Sequence, residues 1–176
     1  MTSDFFDAAV ARHSRKVFTL AAYLLGDAGD AEEIAQEVLI KLGRRGSGVE
    51  PERVRDWMLQ VTRNACIDQL RRRRRAAEVI AIRSHEAAPF EGPGREPGPE
   101  QIAAGAELGR RISKALNGLS ENARSVVILR EIQGLSYNEI SEVVGISTSS
   151  VRVTLHRARR RLRELLKEVH PHVAAG

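Results

Sequence analysis

Residues 135–165 read LSYNEISEVVGISTSSVRVTLHRARRRLREL, and this stretch predicts two helices separated by a tight turn. Ser136 followed three residues later by Glu139 is typical of a capping box, in which each side chain satisfies a backbone amide at the helix start. The first helix is short and ends before Gly145, and residues 145–147 form the turn. Two helices joined by a three-residue turn that contains glycine constitute a helix-turn-helix.

The second of these helices carries many arginines beside a continuous apolar face. That face consists of Val151, Leu155, Ala158, Leu162 and Leu165. The arginines alone are compatible with a solvated surface, a membrane anchor or a nucleic-acid-binding surface. A membrane-surface helix needs bulky groups such as Trp or Phe on its apolar side, and this face has none. Because a capped helix and a glycine turn precede it, we favour DNA binding.

The first turns of the second helix hold the groups that entry into the major groove requires. They are Ser149, Ser150, Arg152, Val153, Thr154 and Arg157. The hydroxyls and helix-terminal amides can bind phosphate, the arginines can read guanine, and the methyl groups suit thymine. Arg152→Ala is therefore expected to relax sequence preference, whereas Arg160→Ala is expected to weaken binding to all sequences alike.

Composition supports a helical protein. The chain has 176 residues, of which 42% are hydrophobic and only 4% aromatic, and its net charge is +5. A core built from aliphatic residues favours packed helices over a β-sandwich, and no stretch alternates with the period of two that a strand shows. The single cysteine, Cys66, excludes an internal disulfide and a multi-cysteine zinc site, and we expect it to be buried.

The sequence predicts neither a signal peptide nor a membrane span. The N-terminus MTSDFFDAAVARH lacks a basic start and an apolar run, and no segment approaches the roughly 18 apolar residues of a membrane helix. These features predict a soluble cytoplasmic protein with no membrane segment of its own.

A proline- and glycine-rich segment divides the chain. Four of the six prolines lie within APFEGPGREPGPE, a composition that neither a helix nor a ladder of strands tolerates. We predict two small all-α domains joined by a flexible linker. The predicted boundaries are 1–83 for the first domain, 84–106 for the linker, 107–170 for the second domain and 171–176 for a tail.

The first domain is predicted to contain three helices. The first ends at Gly26, the second opens with a capping box at Asp30 and Glu33 and ends at Gly43, and the third begins near Pro51. The inward face of the third helix is predicted to comprise Val54, Trp57, Met58, Val61 and Ala65. This helix runs into five consecutive arginines, a cationic block that suits a polyanionic partner.

No group of residues predicts an active site. Carboxylates and a glutamine on the outer face of the second helix lack a nearby His, Cys or glycine-rich loop, so a docking face for another protein fits them better. His170 and His172 are a poor metal site because no carboxylate accompanies them. There is no P-loop and no dinucleotide-binding motif. We predict a protein that is not an enzyme and has neither a cofactor nor a metal.

Three segments taken together resemble the extracytoplasmic-function, or group IV, sigma factors of bacterial RNA polymerase. The segments are DAEEIAQEVLIKL, VRDWMLQVTRNACIDQLRRRRR and, after the linker, LSENARSVVILREIQGLSYNEISEVVGISTSSVRVTLHRARRRL. Their order and spacing cover nearly the whole chain. The resemblance implies sigma region 2 in the first domain and sigma region 4 in the second.

The resemblance also implies roles for residues in the first domain. Glu33, Gln36 and Glu37 correspond to the face that docks on the clamp coiled-coil of the largest polymerase subunit, and the flap is a further contact within core polymerase. The loop 44–51 and Asn64 correspond to a pocket for a flipped base of the −10 element, a loop that here contains no aromatic residue. The implied −10 DNA-binding residues are Arg63, Asn64, Arg71 and Arg72.

By the same resemblance, the residues at the start of the last helix read the −35 element, and promoter DNA and an anti-sigma factor are expected partners. Two other readings of the sequence stay open. A stand-alone helix-turn-helix regulator would bind a specific duplex as a dimer without polymerase. An all-helical interaction protein with solvated arginines would not depend on DNA at all.

Overall fold

The computed structural model describes residues 3–45, 48–83, 109 and 111–168, and the chain divides into two compact units between residues 93 and 94. Within the described residues all regular structure is helical and no strand occurs. The prediction of two all-α domains is confirmed. The predicted linker at 84–106 and the predicted tail at 171–176 lie outside the described residues.

The N-terminal unit consists of three long helices that all contact one another. They are α1 (Ser3–Leu25), α2 (Ala28–Arg45) and α3 (Val54–Arg83), with the short 3-10 helix Pro51–Arg53 leading into α3. Aliphatic side chains from the three helices form one core whose largest fully buried members are Val17, Leu20, Leu24, Val38, Leu42, Met58 and Leu59. Burial of these faces stabilises helices whose own propensity would not suffice.

The start and end of α2 differ from the prediction. The helix is capped by Asp27, whose Oδ1 accepts from the amide of Asp30 at 2.9 Å, so Asp30 is the third helical residue and not the cap. Gly43 does not end the helix but lies inside it, where an added Cβ would be 3.6 Å from Phe6 of α1. The end of α1 agrees with the prediction, since Gly26 adopts a left-handed φ of 74°.

The inward face of α3 is rotated from the predicted one. Val54 and Met58 are buried as predicted, whereas Trp57, Val61 and Ala65 are only half-buried. The remaining buried positions of the helix are Leu59, Thr62, Arg63, Cys66 and Ile67. The polar Thr62 is accommodated because its hydroxyl donates to the backbone carbonyl of Met58 at 2.7 Å.

The C-terminal unit is built from shorter helices. They are α4 (111–117), α5 (Glu121–Val127), a π-helical segment (Ile128–Ile132), α6 (Tyr137–Val144) and α7 (Thr148–Glu168). The core is formed by Ile128, Leu129, Leu135, Ile140, Val151 and Leu155. The π segment is closed by a bond from the amide of Gln133 to the carbonyl of Ile128 at 3.1 Å.

The predicted helix-turn-helix is confirmed in α6 and α7. Ser136 accepts from the amide of Glu139 at 3.3 Å, and the Glu139 carboxylate accepts from the amide of Ser136 at 2.6 Å. Gly145 then reverses the chain with a φ of 76°. The hydroxyl of Ser141 donates to the carbonyl of Ile146 at 2.5 Å, which fixes the turn from inside α6. The capping box and the glycine turn that the sequence predicts are therefore both present.

Candidate nucleic-acid and partner interfaces

The N-terminus of α7 is organised around Ser147, which caps the helix. Its Oγ accepts from the amide of Ser150 at 3.2 Å and its carbonyl accepts from the amide of Val151 at 2.9 Å. The hydroxyls of Ser149 and Ser150 lie 2.9 and 2.8 Å from the same Oγ and are exposed. A chain of hydroxyls at the positive end of a helix suits an anionic ligand.

All six residues predicted to contact DNA through α7 lie on its accessible side near this end. Ser149, Ser150, Arg152, Val153 and Arg157 are exposed and Thr154 is half-buried. The alternate positions Val151, Leu155 and Ala158 are buried against the rest of the unit. Val153 is 49% exposed, which is unusual for a large apolar side chain and leaves its methyl groups available to a ligand.

The arginines of α7 differ in their partners. The guanidinium of Arg159 donates twice to Glu131, with its Nε at 3.0 Å and a terminal nitrogen at 2.6 Å. Arg160 and Arg161 each lie 3.4 Å from Glu164 on the same helix. Arg152 and Arg157 have no carboxylate within ion-pair distance in the described part of the chain. Two of the arginines of α7 whose charge no described carboxylate compensates, Arg152 and Arg157, thus lie in its first three turns.

Arg152 lies close to an aromatic ring outside its own helix. Its Cζ lies 5.8 Å from the centroid of the Tyr137 ring, and the Cζ of Arg130 lies 5.0 Å from the same centroid. Both distances fall within the range of a cation–π interaction. This cluster is not predictable from the sequence, because its three members come from three different elements.

A second exposed basic surface lies on α3. Asn64, Arg71 and Arg72 are exposed, as a DNA-contacting role requires, but Arg63 is only 8% exposed. One terminal nitrogen of Arg63 donates to Oδ1 of Asn64 at 3.1 Å. Arg63 therefore supports the side chain of Asn64 from beneath the surface.

The five-arginine block at the end of α3 is not uniform. Arg73 lies 2.6 Å from the carboxylate of Asp30 on α2, and Gln69 donates to the same carboxylate at 3.1 Å. This pair of contacts ties α3 to the first turn of α2. The neighbouring arginines are exposed.

The outer face of α2 presents the predicted docking residues together. Glu33, Gln36 and Glu37 are exposed and follow one another at helical spacing, and Glu37 pairs with Lys41 at 3.5 Å. Ile40 continues the same row and is 53% exposed. Ile40 was not predicted to belong to this surface, because an isoleucine in an amphipathic helix is usually a core residue.

Trp57 supplies an aromatic group near the loop that precedes α3. Its ring lies 5.6 Å from the Cζ of Arg45, the last residue of α2, and it is half-buried. The loop itself contains no aromatic residue, and Gly46 and Ser47 within it lie outside the described residues. Because Trp57 was predicted to lie in the core, its position near this loop was not predicted.

Cys66 is buried as predicted, and burial raises the pKa of its thiol to about 12, with the negative charge of Asp30 contributing in the same direction. A thiol in this state is not a nucleophile. His170 and His172 lie outside the described residues. In the part of the chain that is described, no cluster of three or more His, Cys, Asp or Glu could hold a metal ion, and no helix is long and apolar enough to cross a membrane.

Known proteins share both units of this molecule. Residues 9–76 match the family model for Sigma-70 region 2, and residues 109–162 match the model for Sigma-70, region 4. The RNA polymerase sigma factor CarQ of Myxococcus xanthus is 30% identical over 172 residues, which cover 97% of this chain and 94% of CarQ. The ECF RNA polymerase sigma factor SigE of Mycolicibacterium smegmatis is 34% identical over 161 residues, covering 92% of this chain but 61% of SigE.

Solved structures show the same fold. The sigma factor RpoE of Bartonella quintana, in complex with the anti-sigma factor NepR, superposes with a TM-score of 0.69 at 24% identity, covering 92% of this chain and 96% of RpoE. CnrH in complex with the cytosolic domain of CnrY also gives a TM-score of 0.69 at 24% identity, covering 93% of this chain and 88% of CnrH.

The fold and its two exposed basic helices thus define a two-domain helix-turn-helix protein of the sigma-70 type. The chain belongs to the family of extracytoplasmic-function RNA polymerase sigma factors. Members of this family are transcription initiation factors and not enzymes, which agrees with the prediction from the sequence.

Proposed function

We propose that this protein is an alternative sigma factor that binds core RNA polymerase and directs promoter-specific initiation of transcription. The first turns of α7 contact the −35 element, and the exposed face of α3 contacts the −10 element. The observation that carries the proposal is the presence, in separate units, of two exposed basic helix surfaces that coincide with the region 2 and region 4 matches.

For the −35 element, the exposed and uncompensated residues of α7 provide both kinds of contact that specific DNA binding uses. Ser149 and Ser150 can donate to phosphate, while Arg157 and the methyl groups of Val153 and Thr154 can reach base edges. The ion-paired Arg160 and Arg161 are less available, since any phosphate must first compete with Glu164. The DNA-contacting surface is therefore the N-terminal part of the helix.

For the −10 element, Asn64 is the central group and Arg63 is its support. Because Arg63 occupies the amide oxygen of Asn64, the amide nitrogen is the part that can donate to a base. Arg71 and Arg72, about two turns further along α3, can bind neighbouring phosphates. A base that leaves the stack can also lie against Trp57, and such stacking offsets part of the cost of unpairing.

For polymerase, the acidic and amide groups of Glu33, Gln36 and Glu37 form the binding surface, and the exposed Ile40 provides an apolar centre within it. An apolar side chain surrounded by polar groups is the usual arrangement of an interface that must also tolerate water. This surface contains no basic residue other than Lys41, which fits a basic partner surface.

Transcription in vitro tests the proposal. Purified chain, core polymerase and genomic promoter DNA are expected to give discrete transcripts that neither the chain nor core polymerase gives alone. Specific duplex binding by the chain without polymerase would instead support the stand-alone regulator, and complete indifference to DNA would support the interaction protein.

Matched substitutions assign each surface. Glu33→Lys is expected to abolish polymerase binding while Glu52→Lys, the same charge change on the 3-10 helix, leaves it intact. Asn64→Ala should remove dependence on the −10 sequence, and Gln60→Ala, an exposed residue one turn earlier, should not. Arg157→Ala should relax selection at the −35 element. The control is Arg163→Ala, at an exposed position nearer the end of α7.

We further propose cytoplasmic action under the control of an anti-sigma factor. The two solved relatives are each bound to a protein of that class or to a cytosolic domain. The exposed Ile40 of one unit and the exposed Val153 of the other are apolar side chains that such a partner can cover when polymerase is absent. Chain isolated from its native cell in complex with such a partner should be inactive in transcription, and removal of the partner should restore activity. Full activity of the complex would contradict this part of the proposal.

A further inference from the structure

Three side chains of the C-terminal unit meet at one aromatic ring. Arg130 belongs to the π segment, Tyr137 is the first residue of α6, and Arg152 lies in the second turn of α7. The two guanidinium carbons lie 5.0 and 5.8 Å from the ring centroid. The ring therefore brings together two positive charges that the sequence separates by 22 positions.

Two of the three members are held in place independently of any ligand. Arg130 donates to the carbonyl of Leu135 at 2.7 Å, which anchors its guanidinium to the segment leading into α6. Tyr137 directly follows Ser136, whose capping box fixes the backbone on either side of the ring. Arg152 is exposed, and its guanidinium lies against the same ring.

The cluster carries positive charge that nothing described in the unit neutralises. Neither Arg130 nor Arg152 has a carboxylate within ion-pair distance among the described residues, although the adjacent Glu131 pairs with Arg159. Two like charges beside one ring repel each other, and an anion between them would convert that repulsion into attraction. The charge of the cluster thus favours an anionic ligand.

The position of the cluster indicates which anion it binds. The guanidinium of Arg152 lies beside the ring of Tyr137, the first residue of α6. In helix-turn-helix proteins the first helix crosses the DNA backbone, while the second lies in the major groove. A side chain of the second helix that rests on the first helix is therefore at the phosphate side of the groove.

We propose that Arg130, Tyr137 and Arg152 form a binding site for a phosphodiester group of the DNA backbone, in which Tyr137 is a positioning residue that orients Arg152. This site deepens the proposed function and rests on it. It differs from the expectation drawn from the sequence, in which Arg152 reads a base edge. Base selection then falls to Arg157, Val153 and Thr154, and Arg152 sets the register of α7 on the duplex.

The first part of the test needs no DNA and no polymerase. In the NMR spectrum of the free full-length chain, the side-chain protons of Arg152 should show an upfield ring-current shift from Tyr137. The shift should persist in Tyr137→Phe, which keeps the ring, and disappear in Tyr137→Leu, with unchanged helical circular dichroism. An Arg152 spectrum that does not respond to Tyr137→Leu would overturn the positioning role.

The second part measures promoter-complex formation by the full chain with core polymerase as a function of salt. Arg152→Ala and Arg130→Ala should each reduce the slope of log K against log salt by about 1 and weaken binding equally on intact and scrambled −35 sequences. Tyr137→Leu should show part of the binding defect of Arg152→Ala. Tyr137→Phe, which keeps the ring, should bind like the wild type. Arg161→Ala, already paired with Glu164, serves as the control.

Two outcomes would overturn the phosphate site. One is an Arg152→Ala variant that keeps the wild-type salt slope but loses discrimination between intact and scrambled −35 sequences, which would make Arg152 a base reader. The other is an Arg152→Ala variant with wild-type binding throughout. If the wild-type chain forms no promoter-specific complex, the DNA ligand fails together with the proposed function, and an intact ring-current shift distinguishes that failure from a wrong cluster geometry.

Discussion

The two units use arginine in different ways, and the difference follows from how each unit is assembled. In the N-terminal unit, Arg73 reaches back 43 residues to Asp30 and helps to hold two helices together. In the C-terminal unit, Arg160 and Arg161 of α7 pair with Glu164 within the helix, Arg159 reaches Glu131, and Arg152 and Arg157 remain available to a ligand. A bundle of long helices depends on distant contacts, whereas a helix-turn-helix is specified largely by neighbours in sequence.

One arginine of the C-terminal unit departs from this pattern because it is buried and holds two helices together. Arg124 of α5 is 3% exposed, and it donates through Nε to the carbonyl of Leu116 at 2.9 Å and through a terminal nitrogen to the carbonyl of Asn117 at 3.2 Å. It thereby caps the last turn of α4. Arg124→Ala removes both side-chain bonds and a buried side chain, although the carbonyl of Leu116 keeps the amide of Leu119 as a donor, and it should cost about 2–3 kcal/mol of unfolding free energy.

Hydrogen exchange of amides in the C-terminal unit would measure this loss. Arg124→Lys keeps the charge but not the forked geometry, so it should fall between the wild type and the alanine variant. Arg161→Ala, on the exposed side of α7, is the control and should change stability by less than about 0.5 kcal/mol. A loss from Arg124→Ala no larger than that of the control would show that α4 does not need this cap.

The next largest effect is expected where the N-terminal unit relies on a distant pair. Asp30→Ala removes the acceptor of both Gln69 and Arg73 and should cost about 1–2 kcal/mol, a value that allows for the partial exposure of Arg73. The fluorescence of Trp57, the only tryptophan, reports denaturant unfolding of this unit. Asp68→Ala, an exposed carboxylate on α3, should leave the midpoint unchanged, and an equal shift in both variants would contradict the role of Asp30.

Replacing glycine by alanine should change the stability of the two units by a smaller amount and in opposite directions. Gly145→Ala forces a side chain into a left-handed conformation at φ 76° and should destabilise the C-terminal unit by about 1 kcal/mol, although no atom obstructs the new Cβ. Gly43→Ala lies in a helix interior with an ordinary contact to Phe6, so it should stabilise the N-terminal unit by about 0.5–1 kcal/mol. Thermal unfolding of the two variants against the wild type checks both signs, and destabilisation by Gly43→Ala would show that Phe6 cannot yield.

The smallest effect concerns pH. Burial, followed by the charges of Arg12, Lys16 and Arg55, lowers the pKa of His13 from 6.5, with Asp56 opposing them, and its Nδ1 has no hydrogen-bond partner among the described residues. As pH falls through 6.5, the unfolded chain binds a proton that the folded chain does not yet bind. The N-terminal unit should therefore lose stability over that range and down to the lower folded pKa.

His13→Gln removes this titration, so its unfolding midpoint, followed by Trp57 fluorescence, should change less between about pH 7.5 and about pH 5.5 than that of the wild type. His156→Gln, at an exposed position of α7, should keep the wild-type pH dependence. Identical slopes for the wild type and His13→Gln would exclude His13 as a source of acid sensitivity.

What could be predicted from the sequence follows the same division. The capping box of Ser136 and Glu139 and the turn at Gly145 could be predicted from the sequence because every bond involved spans five residues or fewer. The same signal at Asp30 was misleading, because Asp27 supplies the cap and frees Asp30 for partners on α3. A capping motif identifies a helix start only when no distant group competes for its carboxylate.

The candidate surfaces were predictable in outline but not in detail. Exposure agrees with the predicted roles of the α7 residues and of Asn64, since polar residues opposite an apolar stripe face solvent. The burial of Arg63 and the meeting of Arg130 with Arg152 at Tyr137 were not predictable, because both depend on the rotation of one helix against another. The DNA-contacting roles themselves stay predictions until the substitutions above are measured.

The widened turn at Ile128–Ile132 has a consequence for which changes the C-terminal unit tolerates. Its consecutive residues Arg130 and Glu131 serve different helices, one through Tyr137 of α6 and the other through Arg159 of α7. Loss of a single residue here that restored ordinary winding would remove the extra residue by which these two neighbours reach different helices. Point changes along this segment should thus be absorbed far more readily than a one-residue deletion, so its length is the quantity that evolution or an engineer must preserve.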